Sequence, residues 1–332
     1  MFHTFLLLLL QILEPFCMKK EDLRIIFMGT PDFAVASLKA LVEGEYNVVA
    51  VITMPDKPAG RGHKLQYSAV KTYAIEKQLP ILQPEKLKDE GFLTELKSYS
   101  ADLQIVVAFR MLPEVVWNMP PMGTFNLHAS LLPQYRGAAP INWAVINGDK
   151  ETGVTSFFLQ HEIDTGNVII QEKIAISPDD NAGTIHDKLM NMGAQHVIKT
   201  VDMICAGNVT SIPQTEMNVG ELKLAPKIFK ETCRMNFAQS AEQLHNFVRG
   251  LSPYPGAWCE ISFNNEEVRQ VVKIFRTEPI IESHNYTAGK VFIDKKNFIR
   301  ISTIDGYLNV LELQLAGKKR MDVKSVLNGM RN

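Results

Sequence analysis

The chain has 332 residues, 46% of them hydrophobic and 21% charged, with a net charge of −1 at pH 7. That length suits two domains with a sizeable core, and the charged fraction is ordinary for a soluble globular protein. Four widely spaced cysteines (Cys17, Cys205, Cys233 and Cys259) suggest neither a CxxC metal pair nor a disulfide framework, which favours a reducing, cytoplasmic setting.

The apolar opening MFHTFLLLLLQILEPFC lacks the basic flank and A-x-A site of an export signal and is too short to span a bilayer. Residues 1–17 therefore read as an extension from an early start codon. Met18 then leads into LRIIFMG (23–29), a run with the form of a buried parallel strand. A helix over FAVASLKALVEG (33–44), a strand over NVVAVIT (47–53) and a loop rich in Pro, Gly and base, PDKPAGRGHKL (55–65), follow. SAVKTYAIEKQ reads as a helix, then LPILQP, DLQIVVAF (102–109), TFNLHAS (124–130), GVTSFFLQ (153–160) and NVIIQEKIAI (167–176) as strands. A long amphipathic helix over 184–207 closes the first domain. Strands alternating with helices predict an α/β domain with a mainly parallel, Rossmann-like sheet over residues 18–207. Residues 208–235, polar and without a long period, read as a linker. Over 236–332 a helix at 240–250 precedes five short strands, which predict a small OB-like β-barrel.

Charge divides along the same line. Through residue 210 there are 18 lysines and arginines against 23 acids, and from 211 onward 17 against 13. A basic second part permits a polyanionic partner, although solvated scatter gives the same count.

Asn126 and His128 lie two apart on a strand, so both side chains face one way. Together they can donate toward a carbonyl oxygen that is gaining negative charge, or they can be satisfied by nearby backbone. Asp164, in HEIDTG, can cap a turn or stand beside His128 and stabilise positive charge on its ring. A second DTG, as an aspartic protease needs, is missing. GTPDF (29–33) sits where open α/β sheets bind ligands, yet it is neither a dinucleotide fingerprint nor a phosphate loop, and a plain turn explains it as well. With no GxSxG and no cysteine near these motifs, Asn, His and Asp fit direct acyl transfer to a nitrogen nucleophile without a covalent enzyme intermediate. The histidines offer no HExxH and no metal-ligand spacing.

The ordered set RIIFMGTPDFA, PDKPAGRGHKL, NLHASLLPQYRGAAPINWAVINGD, ETGV, IDTG and AGKKRM resembles the bacterial methionyl-tRNA formyltransferases from about Leu23 to the end. The resemblance implies that Asn126, His128 and Asp164 carry the transfer, with 10-formyltetrahydrofolate as donor cosubstrate and initiator methionyl-tRNA as acceptor. It implies no metal, no tightly bound cofactor, no membrane partner and a monomer. Ser130, Leu131, Leu132 and Pro133 match the folate-contacting stretch. Arg110, in VVAFRMLP, departs from the small residue of many relatives. Lys57, Arg61, His63 and Lys64 match the loop that grips the acceptor stem; alone they would read as a solvated basic loop. Lys227, Arg249, Lys318 and Lys319, with Arg320, match or resemble positions near the tRNA. The rival readings are a formyltransferase for another amine, such as a nucleotide sugar, hydrolysis of the formyl donor, and an inactive RNA-binding relative.

Overall fold

A computed structural model describes residues 19–59, 64–262, 270–294 and 296–329. The chain divides into two compact units. One comprises the residues up to Gln134 with Gly153–Lys173 and Asp187–Leu222; the other comprises Tyr135–Thr152, Ile174–His186 and the chain from Lys223 on.

The first unit is organised by a seven-stranded sheet. Its order is Val168–Ala175, Glu151–Phe158, Thr124–His128, Leu103–Val107, Ile25–Gly29, Val48–Ile52 and Ile81–Leu82. The strands from Thr124–His128 across to Ile81–Leu82 are parallel, and Glu151–Phe158 pairs antiparallel to Thr124–His128. IIFMG and LQIVV are buried at every position, as strands covered on both faces must be. On one face Ile26, Met28, Ile52 and Val106 pack with Phe92, Leu96 and Val116.

The strand order fixes where chemistry can occur. From Ile25–Gly29 the chain proceeds outward to Val48–Ile52 and Ile81–Leu82, then returns to the opposite side at Leu103–Val107. That reversal leaves a crevice beyond the carboxyl ends of the two central strands, where open α/β sheets bind ligands. Gly29 pairs with Val107 at that edge. A Cβ on Gly29 would meet Ala34 Cβ at 2.6 Å, so only glycine lets the helix Asp32–Glu43 begin so close to the strand.

In the second unit a six-stranded antiparallel sheet runs Ala257–Ile261, Gln270–Ile281, Gly306–Leu315, Phe298–Ser302 and Val291–Asp294, with Met321–Asp322 also on Gly306–Leu315. The helix Ala241–Leu251, capped by a Ser240–Gln243 capping box, buries Leu244, Val248 and Leu251 against Val272, Ile274, Ile301 and Leu308.

One local outcome differs from the expectations: the basic stretch read as a loop carries a short hairpin, Lys57–Ala59 paired with Lys64–Gln66. After RGAA the chain passes into a helix at Pro140–Ile146 with proline in its first turn, a position that suits proline because its missing N–H would have no partner there. Among the described residues no helix is long and apolar enough to cross a membrane.

Candidate active site

Thr124–His128 lies between a parallel and an antiparallel neighbour, so its alternation is enforced from both sides. Phe125 and Leu127 are buried, while Asn126 and His128 share the other face. Asn126 stands opposite Val106 on one neighbour and Phe157 on the other. His128 is 7% exposed, and the Phe157 ring meets its ring edge-on with centroids 6.5 Å apart. Asn126 Oδ1 is buried without a hydrogen-bond partner.

Asp164 arrives from the HEIDTG loop. His128 Nδ1 and Asp164 Oδ2 are 4.0 Å apart, with side chains 7% and 13% exposed. That separation is ion-pair range but long for a hydrogen bond, which suits a carboxylate that acts on the charge of the ring. The loop conformation is costly by itself. Asp164 has φ 56°, in the left-handed region, and a Cβ on Gly166 would lie 1.6 Å from the Phe158 carbonyl oxygen. The loop is held by Gln214, which is 4% exposed and whose Nε2 donates to the Asp164 carbonyl at 2.9 Å and the Gly166 carbonyl at 2.8 Å. Sequence reasoning missed Gln214; it lies in an aperiodic stretch, and nothing local announces a contact made 50 residues away.

The segment after His128 is bound into the scaffold. Ser130 is fully buried and donates its hydroxyl to Gln134 O at 2.7 Å. Thr155 Oγ1 donates to Ser130 O at 2.7 Å, and Gln171 Nε2 donates to Leu132 O at 2.6 Å. Leu132 and Pro133 are buried and Leu131 is half-buried. Of these four side chains, Leu131 keeps the most surface for a ligand; the others shape the backbone. Arg110 is likewise committed: its guanidinium donates to Glu85 O at 2.9 Å and to Pro84 O, and burial lowers its pKa below the usual value. The departure at this position therefore stitches the strand end to the loop after Ile81–Leu82.

The chain matches the family model described as formyl transferase over residues 23–201 and that of the formyl transferase C-terminal domain over 227–331. A methionyl-tRNA formyltransferase of Bacteroides fragilis is 64% identical over 313 residues, covering 94% of this chain and 96% of the relative. One of Bacteroides thetaiotaomicron is 62% identical over 316 residues, covering 95% and 98%. This chain belongs to the methionyl-tRNA formyltransferase family. Among solved structures, the sugar 3N-formyl transferase WlaRD, determined with dTDP and 5-N-formyl-THF, shares the fold at TM-score 0.61 and 22% identity, covering 90% of this chain and 99% of that one. HypX from Aquifex aeolicus, in complex with tetrahydrofolic acid, matches at TM-score 0.59 and 20% identity over 92% of this chain and 46% of its own.

The cationic positions of this formyltransferase have varied surroundings. Lys57 is exposed at the start of the hairpin, Lys64 lies in its second strand, and Arg61 and His63 lie outside the described residues. The base of the hairpin is pinned by Lys71, which donates to Asp56 Oδ2 at 2.5 Å and Gln83 Oε1 at 2.7 Å. Hydrogen bonds from Gln83 and then Lys71 lower the Asp56 pKa. Lys227 is exposed, its Nζ 5.5 Å from the centre of the Phe229 ring. Arg249 is spent on structure: it donates to Asp180 O at 2.6 Å, Ser177 O at 3.2 Å and Asn246 Oδ1 at 2.7 Å, and burial lowers its pKa. Lys318 and Lys319 are exposed, whereas Arg320 pairs with Glu312 through bonds of 2.5 and 2.7 Å. Among the described residues no group of three or more His, Cys, Asp or Glu is arranged to hold a metal ion.

Proposed function

We propose that this protein transfers the formyl group of 10-formyltetrahydrofolate to the α-amino group of methionine on initiator tRNA, giving N-formylmethionyl-tRNA for translation initiation. The observation that carries the chemistry is the shared face of Asn126 and His128 with Asp164 4.0 Å from the ring. The acceptor is supported by relatives 53–64% identical across nearly the whole chain that are methionyl-tRNA formyltransferases. Folate use is supported by the folate-bound structures that share the fold.

In this reading the amine nitrogen attacks the formyl carbon, and the C=O pair moves onto oxygen. Asn126, through its amide N–H, and His128, doubly protonated, donate to that oxyanion. Asp164 balances the ring charge and accepts the ammonium proton through water. The oxyanion pair then re-forms the C=O bond as the bond from carbon to the donor nitrogen breaks, and the proton taken up by Asp164 passes to that nitrogen, which leaves tetrahydrofolate. Preorganised donors in a shielded site need no reorientation as charge develops, so the strained Asp164 loop and the unpartnered Asn126 oxygen fit a site selected for geometry.

Residues 18–207 serve as the catalytic domain, 208–235 as the linker and 236–332 as an OB-like tRNA-binding barrel in a monomeric cytoplasmic enzyme. Arg61 in the PAGRG loop meets the acceptor end. The deciding assay incubates the protein with 10-formyltetrahydrofolate and methionine-charged initiator or elongator tRNA. Formylation selective for the initiator is expected; release of free formate, or formylation of a nucleotide amino-sugar instead, overturns the reading. Arg61→Ala should raise KM for the tRNA while leaving that for the donor unchanged, and equal losses would remove its role.

A further inference from the structure

The second unit contains a groove of about 640 Å³, within the range of small-molecule sites. Three lysines from two stretches line it: Lys227 and Lys230 on one, Lys273 on the other. Its aromatic surface comes from Phe229, Tyr254 and Trp258. Phe229 is 57% exposed and Tyr254 82% exposed, although both are large rings.

The remaining polar groups show which charge the groove accepts. Among the described residues Glu260 is the one acid in the lining and is paired with Arg234 at 3.2 Å, so these residues leave the groove net positive. Lys273 is tethered at the wall by donating to Pro255 O at 2.8 Å. Trp258 is fixed by donation from Nε1 to Lys230 O at 2.8 Å, with the Arg234 guanidinium 5.4 Å from its ring centre. The Trp258 ring is therefore a wall, while Tyr254 and Phe229, the latter with Lys227 Nζ 5.5 Å from its ring centre, are the more exposed rings. Flat apolar faces beside cations match a base with its phosphate, the combination by which proteins hold unpaired nucleotides.

We propose that this groove binds one unpaired nucleotide of a polynucleotide, with the base stacked on Phe229 and Tyr254 and the phosphate met by Lys227, Lys230 and Lys273. Given the function proposed above, on which the identity of the polynucleotide rests, that nucleotide belongs to the tRNA substrate. The same chemistry would suit a free nucleotide, and the test separates the two sources.

The full-length protein and the variant Phe229→Ala/Tyr254→Ala are compared by filter binding of uncharged initiator tRNA and by steady-state formylation. Both rings are largely exposed, so the variant should keep the melting temperature of the parent. A roughly tenfold weaker Kd is expected, in line with loss of base stacking, together with a similar rise in KM for charged tRNA. The kcat should stay within about twofold, and KM for the formyl donor should not change. Lys227→Gln/Lys230→Gln should reduce the slope of log K against log salt by about 2. Unchanged Kd and salt slope would overturn the proposal. So would AMP quenching the tryptophan fluorescence of the parent but not of Trp258→Phe while the ring variant binds tRNA normally, since the occupant would then be a free nucleotide. Should the parent fail to formylate, filter binding still decides the groove by itself.

Discussion

Around His128 the polar groups are few, shielded and already oriented, whereas the groove around Tyr254 presents exposed lysines and rings beside a tethered Lys273 and Trp258. The Asp164 carboxylate sits on a backbone in the left-handed region, braced by Gln214 from a distant stretch. In the groove, Lys227 and Phe229 neighbour one another on a short segment, and Tyr254 is 82% exposed. The first arrangement invests folding energy in geometry, as the stabilisation of a developing charge requires. The second relies on charge and flat surface, as holding a polyanion requires. Substitutions should therefore act steeply at the first site and shallowly, with a dependence on salt, at the second.

The steepest effect is expected from Asn126→Ala. Loss of one oxyanion donor should reduce kcat about a hundredfold or more while the KM values change little. Single-turnover formylation with saturating donor measures it, and near-normal turnover would erase the contrast between the two regions.

Next come the supports of the Asp164 loop. Gly166→Ala places a methyl where the Phe158 carbonyl already lies, 1.6 Å away, and should destabilise the fold by about 3 kcal/mol in denaturant unfolding. Gln214→Leu keeps the volume but frees two carbonyls, at Asp164 and Gly166. If Gln214 positions the carboxylate, kcat should drop about tenfold and its pH profile should change, with both KM values preserved. A loss of stability alone would make Gln214 merely structural.

Legibility in the sequence follows the range of the interactions involved. IIFMG and LQIVV were readable as parallel strands because burial on both faces leaves a continuous apolar run. Asn126 and His128 were readable as same-face partners because the period of a strand is two. Arg249 was visible as a cation, but its partners, the carbonyls of Ser177 and Asp180, lie about 70 residues upstream, so its clamping role was not. Asp56, Lys71 and Gln83 likewise form a network only after the chain has folded. The groove escaped notice for the same reason: Lys227, Tyr254 and Lys273 converge through tertiary structure, and no spacing marks them.

A pH experiment sharpens the comparison within the first unit. His196 is fully buried, with neither ring nitrogen hydrogen-bonded and Glu172 Oε1 3.8 Å from Nδ1. Burial pushes its pKa down to about 4, against the pull of Glu172. Unfolded, the same side chain titrates near 6.5. Between these values the unfolded chain binds a proton that the folded chain refuses. Stability from this group is thus complete above about pH 6.5, falls as pH drops toward 4, and changes no further below that. The loss amounts to ~3 kcal/mol at most. His196→Leu should unfold with a shallower pH dependence across that window and be no less stable at pH 7, because an unsatisfied polar ring has been replaced by an apolar side chain. An unchanged pH slope would show that the ring is not the titrating group.

The smallest effect concerns the exposed tail cations. Lys318 and Lys319 stand on the turn after Gly306–Leu315, with no carboxylate paired to either among the described residues, while neighbouring Arg320 is engaged by Glu312. If each lysine neutralises one phosphate, Lys318→Gln and Lys319→Gln should each lower the salt slope of tRNA binding by about 1 and weaken affinity severalfold at low salt. Arg320→Gln should alter the slope less, because its charge is already balanced. Equal slopes for all three variants would mean that pairing with Glu312 does not withdraw Arg320 from the polyanion, and that formal charge alone sets how this surface meets tRNA.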